Sequence, residues 1–341
     1  MPSSTIFPAI DPAYILSFQF SSWYPLFANQ SIKSTIIQPL SRDFKDYLDS
    51  DGVYIPEGSE DLPFESELSD DDTEEEEAAE GKKFTFPDLD TKIRECIREY
   101  GAVFPKLNFS SPKDAAWVLP ASSPLKCTTP AEVYMLLKSS DFVTHDLDAE
   151  RVFEGCESSE GAETTPYDLE LVLRKWYSID RSRELRCFVR RNRLIGITQR
   201  DANFYEFLND PKTKEYIVST VACYWELNIK SKWTINEDYV FDFLLTRDLS
   251  HGHILDFNPY APRTDAVLFT YEELNTLHTS GEALKMKVID FHSHPTAMRN
   301  TPAYQHNMIP FEALSLSDGR DVTEFAASWE ARIQENINNH N

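Results

Sequence analysis

Two acidic side chains embedded in apolar sequence have the clearest reason to do chemistry: Asp242 in Val240-Phe241-Asp242-Phe243-Leu244 and Asp256 in His253-Ile254-Leu255-Asp256-Phe257-Asn258. If these segments pair as an antiparallel hairpin centred near Leu249, the two carboxylates lie opposite each other, and Asn258 follows two residues on along the same face. Like charges directly opposite on a sheet are destabilising, so a cation is expected beside them. Carboxylate and amide oxygens suit a hard ion, and magnesium characteristically takes few protein ligands and completes its shell with phosphate and water. The plainer alternative, two edge acids facing solvent, sits badly with the apolar flanks.

A charge reversal supplies the other half. Arg174, Lys175, Arg181, Arg183, Arg186, Arg190, Arg191, Arg193 and Arg200 are balanced only by Asp180 and Glu184, a local +7 in a chain of formal net charge −24. Strand alternation puts Arg186, Phe188 and Arg190 on one face and Leu185, Cys187 and Val189 on the other, so one face is expected to be cationic and one to be core. Guanidinium forks bind phosphate through charge-assisted bonds, which makes such a hairpin a cradle for a polyphosphate. The competing reading is a set of salt bridges to acids elsewhere. With ten glycines and neither GxxxxGK[ST] nor GxGxxG, side chains rather than a glycine-rich loop must hold any nucleotide.

Other candidates are weaker. His292-Ser293-His294-Pro295 has the HxHP core of zinc-dependent deubiquitinating metalloproteases, but Ala303 and His306 stand where that motif needs Ser and Asp, so it reads as a polar loop. His251-Gly252-His253 spans a turn with no cysteine nearby and reads as two exposed histidines. The five cysteines lack CxxC spacing, which suggests neither a zinc site nor a disulfide framework and fits a reducing compartment.

The elements that must position these residues are mixed. Thr91 to Tyr100 reads as a helix with Asp90 as N-cap and Gly101 ending it, and Pro130 to Lys138 as another capped by Thr129. Val143 to Thr165 is polar and acidic, and reads as a loop. Strands are expected from Leu171, in Leu185–Arg190, after a turn at Arg191-Asn192, and again at Tyr239–Leu245 and His253–Asn258. Phe204–Leu208 and Lys212–Trp225 read as helical, and the aromatic block Phe18 to Phe27 is expected to pack on the body. Helices followed by antiparallel strand pairs indicate the α+β class.

Composition bounds the rest. Glu57 to Glu80 holds thirteen of the acids and no Lys or Arg, so about half of the −24 belongs to a solvated, disordered insert. The acidity argues against direct nucleic-acid or anionic-membrane partners. The start lacks a basic n-region before Lys33 and no apolar run reaches membrane-spanning length, so a cytoplasmic chain outside the membrane is expected, monomeric on its own.

The blocks FQFSSWYPLF, FPKLNFSSPKDAAWV, LVLRKWYSIDRSRELRCFVRRNRLIGITQRD, YVFDFLL and HILDFNPY together resemble the cell division cycle protein 123 family, from about Phe18 to Asn300–Tyr304 with the acidic insert as a gap. The resemblance implies an ATP-grasp fold, with two α+β lobes clasping ATP and Mg2+. It also implies an assembly chaperone acting on the gamma subunit of eukaryotic translation initiation factor 2 rather than an enzyme. The alternative is an ATP-grasp ligase or kinase, with Asp201 as the base. The division expected is a first lobe over 1–56 and 81–168, the insert at 57–80, a second lobe over 169–310 and a C-terminal segment at 311–341. Position by position, the resemblance implies that Lys106 and Asn108 contact nucleotide phosphate, that Arg174, Lys175 and Trp176 border adenine, and that Arg186 binds phosphate. It makes Asp242, Asp256 and Asn258 the magnesium ligands, with Arg183, Gln199 and Arg200 nearby. FHSHPTAM and EFAASWEARIQENINNHN depart from the family pattern.

Overall fold

Alternation of Leu171, Leu173 and Val172, Arg174 along one strand builds the first sheet. A computed structural model of the chain describes residues 5–60, 84–120, 122–157 and 165–291. The 61–80 part of the acidic insert, the HxHP sequence and the 311–341 segment lie outside these residues. In the first sheet β1 (Ser34–Ile37), β2 (Val103–Lys106) and β3 (Leu171–Lys175) run in the order β1-β3-β2, antiparallel throughout. Leu171 and Leu173 enter a core with Phe44, Tyr47, Phe86, Ile93 and Tyr134, whereas Val172 enters a different core on the other face. Helices α3 (Arg42–Asp49), α4 (Pro87–Tyr100) and α5 (Pro130–Lys138) cover the first face. β3 is hydrogen-bonded on both sides, to β1 and β2, and is the central strand of the first sheet.

The second sheet has the order β7-β6-β4-β5-β8, with β4 (Glu184–Arg190), β5 (Arg193–Gln199), β6 (Tyr239–Leu245), β7 (Gly252–Pro259) and β8 (Lys285–Lys287). Only β8 is parallel to its neighbour. Arg191 and Asn192 both take positive φ, 47° and 56°, the two-residue turn that matches strand twist. One face of this sheet packs Cys187, Phe241, Phe243 and Phe257 against α1 (Pro12–Leu16), α2 (Phe20–Phe27), α9 (Pro211–Tyr224) and Trp233. The other face packs Phe188, Ile195 and Val240 under α10 (Tyr271–Ser280).

Both sheets belong to one compact unit, which takes in the described residues up to Asp201 and from Tyr205 to Val288; Ala202–Phe204 and 289–291 fall to a second unit. Among the described residues no helix is long and apolar enough to cross a membrane.

Three local readings are corrected. Helix α4 starts at Pro87, not after Asp90, because proline's fixed φ suits the first helical position; Asp90 is buried inside it and accepts from Tyr134 Oη at 2.5 Å. The polar 143–165 stretch is not all loop: α6 (Asp141–Thr144), a 3-10 turn at His145–Leu147 and α7 (Ala149–Val152) use it, with Asp148 capping α7. The 204–208 helix reduces to α8 (Glu206–Asn209), and α9 runs on into a π-helical turn at Trp225–Ile229. Thr129 caps α5 as expected, and Glu132 reciprocates to complete a capping box.

Candidate functional site

Strand pairing places the acids as their spacing predicts. Asp242 lies opposite Asp256 and Val240 opposite Asn258, with a bulge between Asp242 and Phe243 that shifts the register only toward the turn. Their neighbours Phe241 and Phe257 point into the aromatic core, so period-two alternation sends both carboxylates to the other face.

What neutralises the pair differs from the expectation of a bound ion alone. Arg186, directly across β4 from Asp242, grips it bidentately, Nε to Oδ1 at 2.8 Å and Nη2 to Oδ2 at 2.9 Å. Arg200 Nε stands 3.5 Å from Asp242 Oδ2 and its Nη1 bonds Glu184 Oε1 at 2.5 Å. Asp256 Oδ2 accepts from Lys106 Nζ at 2.9 Å, a contact from β2 of the first sheet to β7 of the second. Beside it Arg174 Nη1 donates to Leu255 O at 2.9 Å. The two sheets thus meet through charged side chains, helped by Ser31 Oγ, which donates to Ile254 O at 2.7 Å.

Burial sharpens these electrostatics. Burial works against ionisation of Asp242, but Arg186 and Arg200 outweigh it and hold its carboxyl well below the usual carboxylate range. Burial likewise opposes the charges on Arg200 and Glu184; their mutual attraction, with Asp242 and Lys113 contributing, keeps both ionised. Burial lowers Arg174, which is 7% exposed and has two donors, Nε and Nη2, without an acceptor. Asn258 Nδ2 is a third buried donor without a partner. A buried unpaired donor costs about 1–3 kcal/mol, so three in one neighbourhood point to a ligand with several acceptor oxygens.

Lys113, which sequence reasoning did not single out, belongs here. It opens the 3-10 turn Lys113–Val118, is solvent-accessible, and is held down to about 8, first by Arg200 and then by surrounding protein, against the pull of Glu184, Asp242 and Asp256. Its folded pKa lies below its unfolded value, so its proton is lost from the folded chain first and stability rises with pH between about 8 and the ordinary lysine range. Near pH 7 its neutral fraction should exceed that of an ordinary lysine. Competitive amine acylation read by mass spectrometry should therefore label Lys113 ahead of Lys212 and Lys214; equal labelling would contradict the placement. Its sequence signal was position, five residues after Asn108 in the same block. Glu184 was visible as one of two acids in the basic hairpin.

The other expected site residues have different surroundings. Asn108, fully buried, donates from Nδ2 to Asp168 O at 2.8 Å and accepts at Oδ1 from Glu170 N at 2.9 Å, so its amide braces the entry to β3. Trp176 Nε1 donates to Pro124 O at 3.2 Å, and Lys175 Nζ lies 5.5 Å from the Tyr177 ring. Arg183 bonds Asp180 and Leu245 O. Nor do Arg186, Phe188 and Arg190 form an open cationic face: Phe188 packs under α10, and Arg190 pairs with Asp238 at 2.9 Å and Thr5 O at 3.0 Å. Of the nine basic residues of the hairpin region, Arg174, Arg186 and Arg200 enter the cluster.

By these contacts the cluster holds five cations, Lys106, Lys113, Arg174, Arg186 and Arg200, against four carboxylates, Glu170, Glu184, Asp242 and Asp256, a surplus of one positive charge. Among the described residues no group of three or more His, Cys, Asp or Glu could hold a metal ion. An ion bound at Asp242, Asp256 and Asn258 would draw the rest of its shell from ligand oxygens and water, which is how magnesium is usually held.

The D123 family model matches residues 23–317. The translation initiation factor eIF2 assembly protein of Schizosaccharomyces pombe is 36% identical over 326 residues, 93% of this chain and 95% of that protein. Its Xenopus laevis counterpart is 42% identical over 272 residues, 76% of this chain and 77% of the relative, and the cell division cycle protein 123 of Yarrowia lipolytica is 38% identical over 261 residues, 75% and 66%. The solved structure of Cdc123 from S. pombe superposes with a TM-score of 0.64 at 34% identity, covering 83% of this chain and 99% of that one. With an α+β architecture and a family model spanning most of its length, the chain belongs to the D123 family, the family of cell division cycle protein 123.

Proposed function

We propose that this chain is an ATP- and magnesium-binding assembly protein for eukaryotic translation initiation factor 2, which holds the gamma subunit while the heterotrimer forms in the cytoplasm. The observation that carries the nucleotide half is the cluster's net positive charge together with three buried donors lacking acceptors. Magnesium-bound ATP, doubly negative and rich in acceptor oxygens, complements both. Lys106, Arg174, Arg186, Arg200 and Lys113 would hold phosphates, and Asp242, Asp256 and Asn258 the ion. To accept it, Asp242 and Asp256 would exchange a guanidinium and an ammonium for Mg2+, and the released cations would turn to phosphate oxygens. The two sheets would then be the two lobes of the clasp.

The partner half rests on relatives at 36% and 42% identity that are named as eIF2 assembly proteins. In the ligase or kinase reading Asp201 would serve as base; its Oδ1 here accepts from Tyr205 Oη at 2.9 Å. A pull-down with purified gamma subunit, with and without ATP and Mg2+, tests the proposal. Capture that is strengthened by nucleotide is expected. Absence of capture in both conditions would remove the partner assignment, and ADP formation stoichiometric with a modified partner would favour the enzyme.

A further inference from the structure

The N-terminal aromatic helix reaches the charged cluster through one ring. Phe20, fully buried at the start of α2, lies under two cations: Lys106 Nζ is 5.3 Å and Arg174 Cζ 5.5 Å from its centroid. The ring is fixed from several directions. Tyr24 stacks on it at 4.9 Å and 22°, Trp23 meets it edge-on at 4.7 Å, and its backbone N–H donates to Asn108 O at 3.0 Å. Glu170, itself fully buried, accepts from Ser21 N and Gln19 Nε2, both at 3.0 Å, and so fastens the first turn of α2 to the entry of β3. The Tyr24 hydroxyl accepts from Ser34 N at 2.8 Å, and Ser34 is the β1 residue opposite Arg174. The backbone and Glu170 ties run to the ends of the strands that carry the two cations and the Tyr24 tie to β1 beside Arg174, while Trp23 packs on Phe257 of β7.

Two buried cations brought together repel, and a carboxylate that offset both would also occupy their N–H donors. A ring face attracts cations without taking a hydrogen bond from them. That matches Arg174, whose Nε and Nη2 remain without acceptors although its guanidinium is buried. Lys106 has Asp256 as a partner, and it would lose that partner if Asp256 turned to a metal ion.

We propose that Phe20 is a positioning residue of the anion site: its ring holds Lys106 and Arg174 side by side, with Nε and Nη2 of Arg174 unspent, for the phosphate oxygens of a magnesium–polyphosphate ligand. This rests on the nucleotide reading above and adds the N-terminal helix to it. Glu170 and Asn108 act one step further out, by fixing the helix that carries the ring.

Phenylalanine analogues with one, two and three ring fluorines at position 20 keep the side chain's shape while draining its negative face. The dissociation constants for ATP and for inorganic tripolyphosphate, each with Mg2+, should climb stepwise along that series, by about tenfold end to end. The same ring faces both cations in the ligand-free protein, so its melting temperature should slip slightly along the series, and an unchanged far-ultraviolet circular dichroism spectrum serves as the folding control. A flat series with binding intact would overturn the role of Phe20 and leave the nucleotide reading standing. Binding of neither ligand by the unaltered chain would remove both together. A packing role alone predicts the flat series, since the fluorinated rings fill the same volume.

Discussion

An Arg186→Met variant is expected to lose about 3–5 kcal/mol of stability at neutral pH, because it strips a buried carboxylate of its bidentate partner. Asp242 and Arg186 expose only 4% and 7% of their side chains, and Arg200, the remaining neighbour at 3.5 Å, is already bonded to Glu184. Methionine fills most of the volume, so the loss would report charge and not a cavity. The pH dependence identifies the cause. In the unaltered chain Asp242 is depressed, so its contribution is complete above the unfolded carboxylate range and fades as pH falls toward the folded value. In Arg186→Met the uncompensated carboxylate takes up a proton more readily, so the gap between variant and parent should narrow below about pH 4. Urea unfolding at pH 7 and pH 3.5 checks both statements, and a deficit that does not change with pH would assign the effect to packing.

Arg174→Met is expected to move stability and binding in opposite directions. The buried guanidinium has one acceptor, Leu255 O, for donors of which Nε and Nη2 are unsatisfied. Replacing an imperfectly satisfied buried ion by an apolar side chain of similar volume is often neutral or stabilising, so the ligand-free melting temperature should hold or rise. The same donors are the ones a polyphosphate would use. Charged hydrogen bonds contribute about 1.5–3 kcal/mol each, so losing two should weaken binding of ATP with Mg2+ by about a hundredfold or more. A variant that is destabilised yet binds normally would mean that Arg174 is a structural bolt.

The acid pair was legible because strand periodicity and turn position are local: Asp242 and Asp256 sit in adjacent strands, and their register follows from the chain between them. The type of partner was not legible, because Lys106 arrives from 150 residues away in a different sheet. The same distance hid Phe20, whose link to Arg174 exists only once β1 and β3 pair. Charge counting gave the basic hairpin correctly but not its division, since alternation says which residues share a face and not what covers it; α10 covers Phe188 and leaves Arg186 to the cluster. The start of α4 went astray where a strong cap residue, Asp90, outcompeted a proline in the reading, while the fold uses the proline to begin and buries the acid against Tyr134. The class, the Thr129 cap of α5 and the β4–β5 turn were all set by short-range chemistry and were readable.

The proposed function rests on a charged cluster that is cationic in sum and would complete itself with a metal-bound polyphosphate. Calorimetric titration of the unaltered chain with ATP, in the presence of Mg2+ and again in EDTA, tests it most directly. One-to-one binding that requires the metal and disappears in the Asp242→Asn, Asp256→Asn double variant is the predicted result. Absence of binding to the folded chain, or binding indifferent to both the metal and the two substitutions, would contradict it.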